Sequence, residues 1–241
     1  MDFTDQIAVV TGASSGIGRA IALGLVERGA TLCLLGRNLA TLEALAECAR
    51  LTASRVFCYR ADLIVDQDLG DLTARLQRDF ERIDLLVHSA GAFSMGRLET
   101  ASVEDFDWHY RTNVRAPYIL TQALLPRLRA HQGQIVFINS SVGLSGKANM
   151  SQYAATKHAL KAIADSLREE VNASGVRVLS IYPGRTASPM QEAMHKMEGR
   201  AYHPERLMQP EDVAQMVLNA LSLPRSAEVT DIGLRPMAPP L

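Results

Sequence analysis

Short apolar runs alternate with longer stretches of helical spacing along almost the whole chain, and this alternation restricts the fold more than any other feature. Strands are expected at Ile7 to Thr11, Thr31 to Leu35, Arg55 to Tyr59, Ile83 to His88, Gln134 to Asn139, Val176 to Tyr182 and within Val229 to Leu234. Helices are expected at Gly16 to Arg28, Leu39 to Ala49, Gln67 to Phe80, Ser102 to Ala130, Ser151 to Asn172 and Pro210 to Ser222. Pro117 falls near the middle of the fourth helix and should break or kink it. Thr31 to Leu35 shows no polar alternation, as suits a strand covered on both faces. Alternation of this kind implies right-handed crossovers and an α/β fold: a doubly wound parallel sheet of about seven strands, helices on both faces. The 241 residues, 47% hydrophobic, suffice for one such domain over 1–241. Ligands of such sheets bind at the carboxyl ends of the strands, where strand order reverses.

Composition removes several classes of function. A net charge of −1 gives no basic excess for nucleic acid or an anionic membrane surface. The first residues are polar, no apolar run exceeds strand length, and a cytoplasmic protein is expected. Cys33, Cys48 and Cys58 show no paired spacing, so free thiols are expected. The six histidines are dispersed, and no metal site is expected.

Two segments carry chemistry. Thr11-Gly12-Ala13-Ser14-Ser15-Gly16-Ile17-Gly18 joins the first strand to the first helix. Its glycines permit a tight turn and close approach of a pyrophosphate, which the helix N-terminus would meet with free N–H groups. Tyr153 and Lys157 stand four apart, on one helix face. A nearby ammonium should favour the phenolate and lower the phenol pKa, making one acid–base unit. Ser140 and Ser141 close the fifth strand, and either hydroxyl could polarise a substrate oxygen.

These motifs resemble those of the short-chain dehydrogenase/reductase family in its short single-domain form, and the resemblance continues along nearly the whole chain. It implies a Rossmann-type sheet and an oxidoreductase moving a hydride between a nicotinamide and a carbonyl or alcohol. Ser140 lies thirteen residues before Tyr153, the spacing of the family's catalytic serine, and Asn113 matches its helical asparagine, which helps hold a water near the lysine. Where an acidic residue would hold the ribose of NAD, this chain has Gly36-Arg37-Asn38; Arg37 suits the 2′-phosphate of NADP, with Ser14 as an added donor. NADP(H) is therefore expected in preference to NAD(H). Asp62 and Leu63 match the adenine contact, although Asp62 could instead cap the next helix. Ala90 and Gly91 match the family's small residues beside the cofactor; the preceding His88 and Ser89 depart from the pattern, and His88 reads as a satisfied core residue. Pro183 and Gly184 match the segment beside the nicotinamide, with Thr186 or Ser188 as the hydroxyl for its carboxamide.

The resemblance also implies a small-molecule carbonyl or alcohol substrate and a homodimer or homotetramer formed through the two long helices. Ala154, Ala159, Ala162, Leu120, Leu124 and Leu128 could supply that surface, or could pack on the sheet. Residues 186–209 interrupt the alternation and hold Met190, Met194, Met197 and Met208. They read equally as a substrate-side lid and as a short helix docked on the core. Two further readings stand beside the enzyme: a non-catalytic dinucleotide sensor or scaffold, and a sugar-nucleotide epimerase or dehydratase. The intact Ser140, Tyr153, Lys157 and Asn113 disfavour the first; chain length and glycine spacing disfavour the second.

Overall fold

The computed structural model describes residues 3–50 and 55–237. Seven strands form one sheet: β1 (Ile7–Thr11), β2 (Thr31–Gly36), β3 (Val56–Arg60), β4 (Leu85–His88), β5 (Gln134–Ile138), β6 (Arg177–Pro183) and β7 (Asp231–Leu234). Their order is β3-β2-β1-β4-β5-β6-β7, and every pairing is parallel. The helices between them are α1 (Gly16–Val26), α2 (Leu39–Arg50), α3 (Asp66–Asp79), α4 (Val103–Tyr110), α5 (Ala116–Ala130), α6 (Ser151–Val171), α7 (Pro189–Met197) and α8 (Pro210–Leu221).

Period-two side chains divide each strand between two cores. Val10 and Leu34 point toward α1, α2 and α8, whereas Val9, Cys33 and Leu35 point toward α3, α5 and α6. Leu120, Leu124 and Leu128 are completely buried in the second core, so this stripe packs on the sheet rather than forming an outer surface. Cys33, Cys48 and Cys58 are free thiols, Cys33 buried and Cys48 exposed. Strand order reverses between β1 and β4, where Thr11 and His88 are register partners, and a cleft opens above that point.

The stretch expected as one helix from Ser102 to Ala130 is two helices joined by a π turn, Arg111–Arg115. Pro117 is the cause that can be named: it has no N–H to donate to the Asn113 carbonyl, so regular α geometry cannot continue through this point. It stands in the first turn of α5, where a proline is tolerated. Residues 189–197, within the segment read equally as a lid and as a short docked helix, form α7; Ser188 caps it by accepting from the Gln191 N–H at 3.2 Å, and Pro189 follows.

Candidate active site

The cleft has a volume of about 1350 Å³ and runs from the β1–α1 turn past β5 to α7. Its first wall is made by the glycine segment. The Thr11 hydroxyl accepts from the N–H groups of Ser89 (3.0 Å) and Ala90 (3.1 Å), tying the ends of β1 and β4 together. Gly12 lies at φ +65°, and a Cβ there would stand 2.7 Å from the Ala90 backbone. A Cβ on Gly18 would meet the Gly12 carbonyl oxygen at 2.4 Å, so Gly18 lets α1 sit against its own turn behind the cleft wall. Ser14, Ser15, Gly16 and Ile17 line the cleft. Ser15 precedes α1 without a side-chain cap, and no acidic residue lies in the first turn. The helix therefore offers its first N–H groups and the positive end of its dipole to an anion.

Arg37 lines the cleft at the end of β2, exposed beside Gly36. Asn38 does not line it: its Oδ1 accepts from the Thr41 N–H at 3.2 Å, which starts α2. Asp62 and Leu63 line the cleft after β3. Asp62 is not a helix cap, because α3 begins at Asp66 with Val65 in the cap position. Its Oδ1 instead accepts from the Ile64 N–H at 3.3 Å, shaping the loop. Ala90 and Gly91 line the cleft, whereas His88 is buried beneath it. His88 Nε2 lies 2.9 Å from the Thr121 hydroxyl, and its ring stacks on Phe137. Burial pushes its pKa down to about 3, so it stays neutral.

The second wall carries Ser140, Tyr153 and Lys157, which meet where β5 ends and α6 begins. Ser140 Oγ accepts from the Val142 N–H at 3.3 Å, and its hydroxyl is the one that neighbours the Tyr153 phenol; the adjacent Ser141 opens a short 3-10 turn, Ser141–Gly143. The Tyr153 ring packs edge-on against Phe93, with centroids 5.1 Å apart. Lys157 is buried, and its Nζ donates to the Ile138 carbonyl at 3.0 Å, 5.8 Å from the Tyr153 ring centre.

The expected lowering of the phenol pKa is not found. Burial pushes Tyr153 up to about 12, and the neighbouring Ser140 hydroxyl only partly opposes it. Burial also lowers Lys157 to about 8. Both low-dielectric effects favour the uncharged form. At neutral pH the site thus holds a neutral phenol beside a lysine that is still mostly an ammonium.

Asn113, in the π turn, is behind the wall rather than in it. Its Oδ1 accepts from the Ala92 N–H at 2.8 Å, and its Nδ2 donates to the Ala92 carbonyl (3.0 Å) and to Thr156 Oγ1 (3.1 Å). Its side chain clamps the loop after β4 onto α6 and makes no contact with Lys157. Pro183 and Gly184 line the cleft at the end of β6. Thr186 and Ser188 line it as well, but both hydroxyls are turned onto local backbone: Thr186 donates to the Gly184 carbonyl and Ser188 to the Thr186 carbonyl, each at 3.2 Å. On α7, Gln191 and His195 are buried while Met190, Met194 and Met197 line the cleft, and Met208 is in the core.

Three positioning residues escaped the sequence reading. Asn139 is buried; its Oδ1 accepts from the Ser140 N–H (2.9 Å) and its Nδ2 donates to the Lys157 carbonyl (3.1 Å). It thereby fixes the nucleus of the site from both sides, and a polar residue closing an apolar strand was its only signal. Thr156 supports Asn113 from inside the Tyr153–Lys157 turn. His109, completely buried, accepts from the Ser94 N–H at 2.7 Å and packs 6.1 Å from the Tyr153 ring; nothing in its sequence context marks it.

A parallel sheet with a glycine-turn cleft at its switch point, and a serine, tyrosine and lysine on the facing wall, defines the dinucleotide-dependent oxidoreductases as a class. Residues 6–199 match the model of the family described as short chain dehydrogenase, and the chain belongs to that family. It is 33% identical over 234 residues to an uncharacterized oxidoreductase of Staphylococcus epidermidis, covering 97% of this chain and 98% of that protein. Among solved structures it is similar to an alcohol dehydrogenase from Thermococcus sibiricus complexed with 5-hydroxy-NADP, with a TM-score of 0.87, 26% identity and coverage of 98% and 99%. It is also similar to a short-chain dehydrogenase from Escherichia coli complexed with NADPH, with a TM-score of 0.87, 31% identity and coverage of 95% and 96%. Among the described residues no helix is long and apolar enough to cross a membrane.

Proposed function

We propose that the protein is an NADP(H)-dependent oxidoreductase that reduces a ketone or aldehyde. The observation that carries this reading is the meeting of Ser140, Tyr153 and Lys157 where β5 ends and α6 begins, in one cleft with the uncapped start of α1. The residues fit a dinucleotide phosphate. Gly12 lets the turn pack on the Ala90 backbone, the uncapped α1 N–H groups suit a pyrophosphate, and Arg37 suits a 2′-phosphate. Ser14 would assist Arg37, and Asp62 and Leu63, which line the same cleft, would meet the adenine. That the similar structures include NADP and NADPH complexes supports the same cofactor.

Bound nicotinamide would supply the hydride. The protein supplies the rest. Ser140 holds the substrate oxygen by a hydrogen bond, and Tyr153 gives its proton to that oxygen as negative charge develops there. Lys157 holds the ribose side of the nicotinamide and keeps positive charge beneath the phenol. Asn113 supports proton resupply through its backbone carbonyl, which Pro117 deprives of its ordinary helical donor, because the side chain is already committed to Ala92 and Thr156. Pro183, Gly184, Thr186 and Ser188 form the nicotinamide side, and residues 186–209 act as the substrate-side lid of a single domain. The proposed setting is the cytoplasm, and the proposed assembly a homodimer or homotetramer, for which sedimentation should show a mass above that of one chain.

Titration of the purified protein with NADPH and NADH, followed by nicotinamide fluorescence, tests the reading. Tighter NADPH binding, and NADPH consumption with a panel of ketones and aldehydes, is the expected result. Binding of neither nucleotide would overturn the enzyme reading and favour the scaffold.

A further inference from the structure

The substrate end of the cleft has a composition that the cofactor and the acid–base residues do not use. Five cationic side chains line it, Lys147, Arg185, Arg200, Arg206 and Arg235, against one carboxylate, Glu198. They come from three separate segments: the loop between β5 and α6, the segment around α7, and the residues after β7. Glu198 is already engaged, since Arg185 Nη2 lies 2.7 Å and 2.9 Å from its two oxygens and Arg200 approaches at 3.8 Å. Among the described residues Lys147 and Arg235 have no carboxylate within salt-bridge distance. Both are exposed at the rim. The wall beside them is apolar and adaptable: Met95, Met150 and Met194 are buried or half-buried next to Tyr153, and Met190 and Met197 are exposed along the cleft.

Taking the carbonyl-reductase reading as its basis, we propose that the substrate has an apolar body and an anionic group, carboxylate or phosphate, remote from its carbonyl. The methionine wall would hold the body near Tyr153, and Lys147 and Arg235 would hold the anion at the rim. These cations are placed for the substrate and not for the cofactor phosphates. Lys147 lies seven residues beyond Ser140 in the loop leading to α6. Arg235 follows Leu234, whose carbonyl accepts from the Gly184 N–H at 2.8 Å beside the proposed nicotinamide position. The pyrophosphate cradle is the β1–α1 turn, whose Gly16 has Ser188, and neither of these cations, as its near neighbour: a Cβ there would stand 3.3 Å from Ser188 Cβ. A cleft lined by one sign of charge over low-dielectric walls concentrates ions of the other sign.

The test is calorimetric titration of octanoate, octyl phosphate and 1-octanol into the NADPH-loaded protein. At least one anion should bind more tightly than 1-octanol by about tenfold at low salt, an advantage that shrinks with added NaCl; which anion wins identifies the group. Lys147→Gln/Arg235→Gln should bring anion and alcohol to within about threefold of each other, with 1-octanol and NADPH affinities unchanged. Equal affinities in the unaltered protein, an advantage that survives the double substitution, or a parallel loss of NADPH affinity would each overturn the proposal. Turnover of 7-oxooctanoate and 2-octanone is measured separately. Anion-selective binding without NADPH consumption would refute carbonyl reduction and leave the anion site standing.

Discussion

Lys157→Met isolates the energetic consequence of burying a charge at this site. The lysine is 3% exposed, and burial lowers its pKa from 10.5 to about 8. Below pH 8 the folded and unfolded chains both hold the proton, and the folded state carries the full penalty of an ammonium removed from water. Between pH 8 and 10.5 the folded chain has released the proton while the unfolded chain still binds it. The unfolded state then holds more protons, so stability contributed by this group rises with pH. Linkage between those two pKa values gives a gain of about 2–3 kcal/mol from pH 7 to pH 10. Methionine keeps much of the volume and cannot titrate, so the variant lacks the gain. Urea unfolding followed by far-UV circular dichroism at pH 7, 8, 9 and 10 measures it. The difference between the two proteins cancels every other titrating group. A comparison at one pH is not diagnostic, because methionine also leaves the Ile138 carbonyl unmet at a cost of about 1–3 kcal/mol. Stability curves that run parallel from pH 7 to 10 would refute the reasoning.

Three substitutions test separate parts of the site. Tyr153→Phe should lower kcat by about 10²–10⁴-fold, the usual share of a positioned acid, while the NADPH Kd stays the same; near-normal turnover would remove Tyr153 from the mechanism. Arg37→Asp should weaken NADPH relative to NADH by about tenfold or more, as loss of a charge-assisted bond implies; an unchanged ratio would mean that Arg37 does not meet the 2′-phosphate. Asn113→Ala removes three buried hydrogen bonds and leaves both polar groups of Ala92 unmet, so unfolding free energy should fall by about 3 kcal/mol. A loss under ~1 kcal/mol in urea titration would show that the clamp is not structural.

Much of this was legible before any coordinates. Buried parallel strands must be apolar on both faces, so the centres of β1, β2, β4 and β5 announce themselves as apolar runs, and the β1–α1 turn is fixed by Gly12 and Gly18, where a Cβ would meet backbone. What sequence could not supply was relative depth. Pro117 signals a break, but whether the chain kinks, ends or slips into a π turn depends on the contacts of Asn113 with Ala92 and Thr156, which lie 21 and 43 residues away. Four-residue spacing places Tyr153 and Lys157 on one face, yet their pKa values are set by burial, which spacing does not encode. Asn139 resembles the polar end of a strand, and only the fold reveals that both ends of its amide are used. Asn38 and Asp62 show the same limit. Both are oxygen-bearing side chains at strand ends, and only the local turn decides that one starts a helix and the other shapes a loop.

The two pKa values also make the direction of the reaction an experimental question with a definite answer. Reduction consumes a proton, and at neutral pH Tyr153 already carries one, because burial holds the phenol up to about 12. Oxidation requires the phenolate, which is scarce at pH 7 and increases about tenfold with each pH unit below that pKa. For a ketone and its alcohol, kcat/KM for oxidation should therefore rise about tenfold per pH unit from pH 7 to about pH 8 and level off beyond it, where Lys157 loses its charge. In reduction kcat/KM should be flat to about pH 8 and fall beyond it, as Lys157 loses the charge that supports the phenol and its ribose contact. A reduction kcat/KM that falls from pH 7 upward while oxidation stays flat would show that the proton is transferred by a group other than Tyr153. A rise in reduction above pH 8 would show that the Lys157 ammonium is not needed.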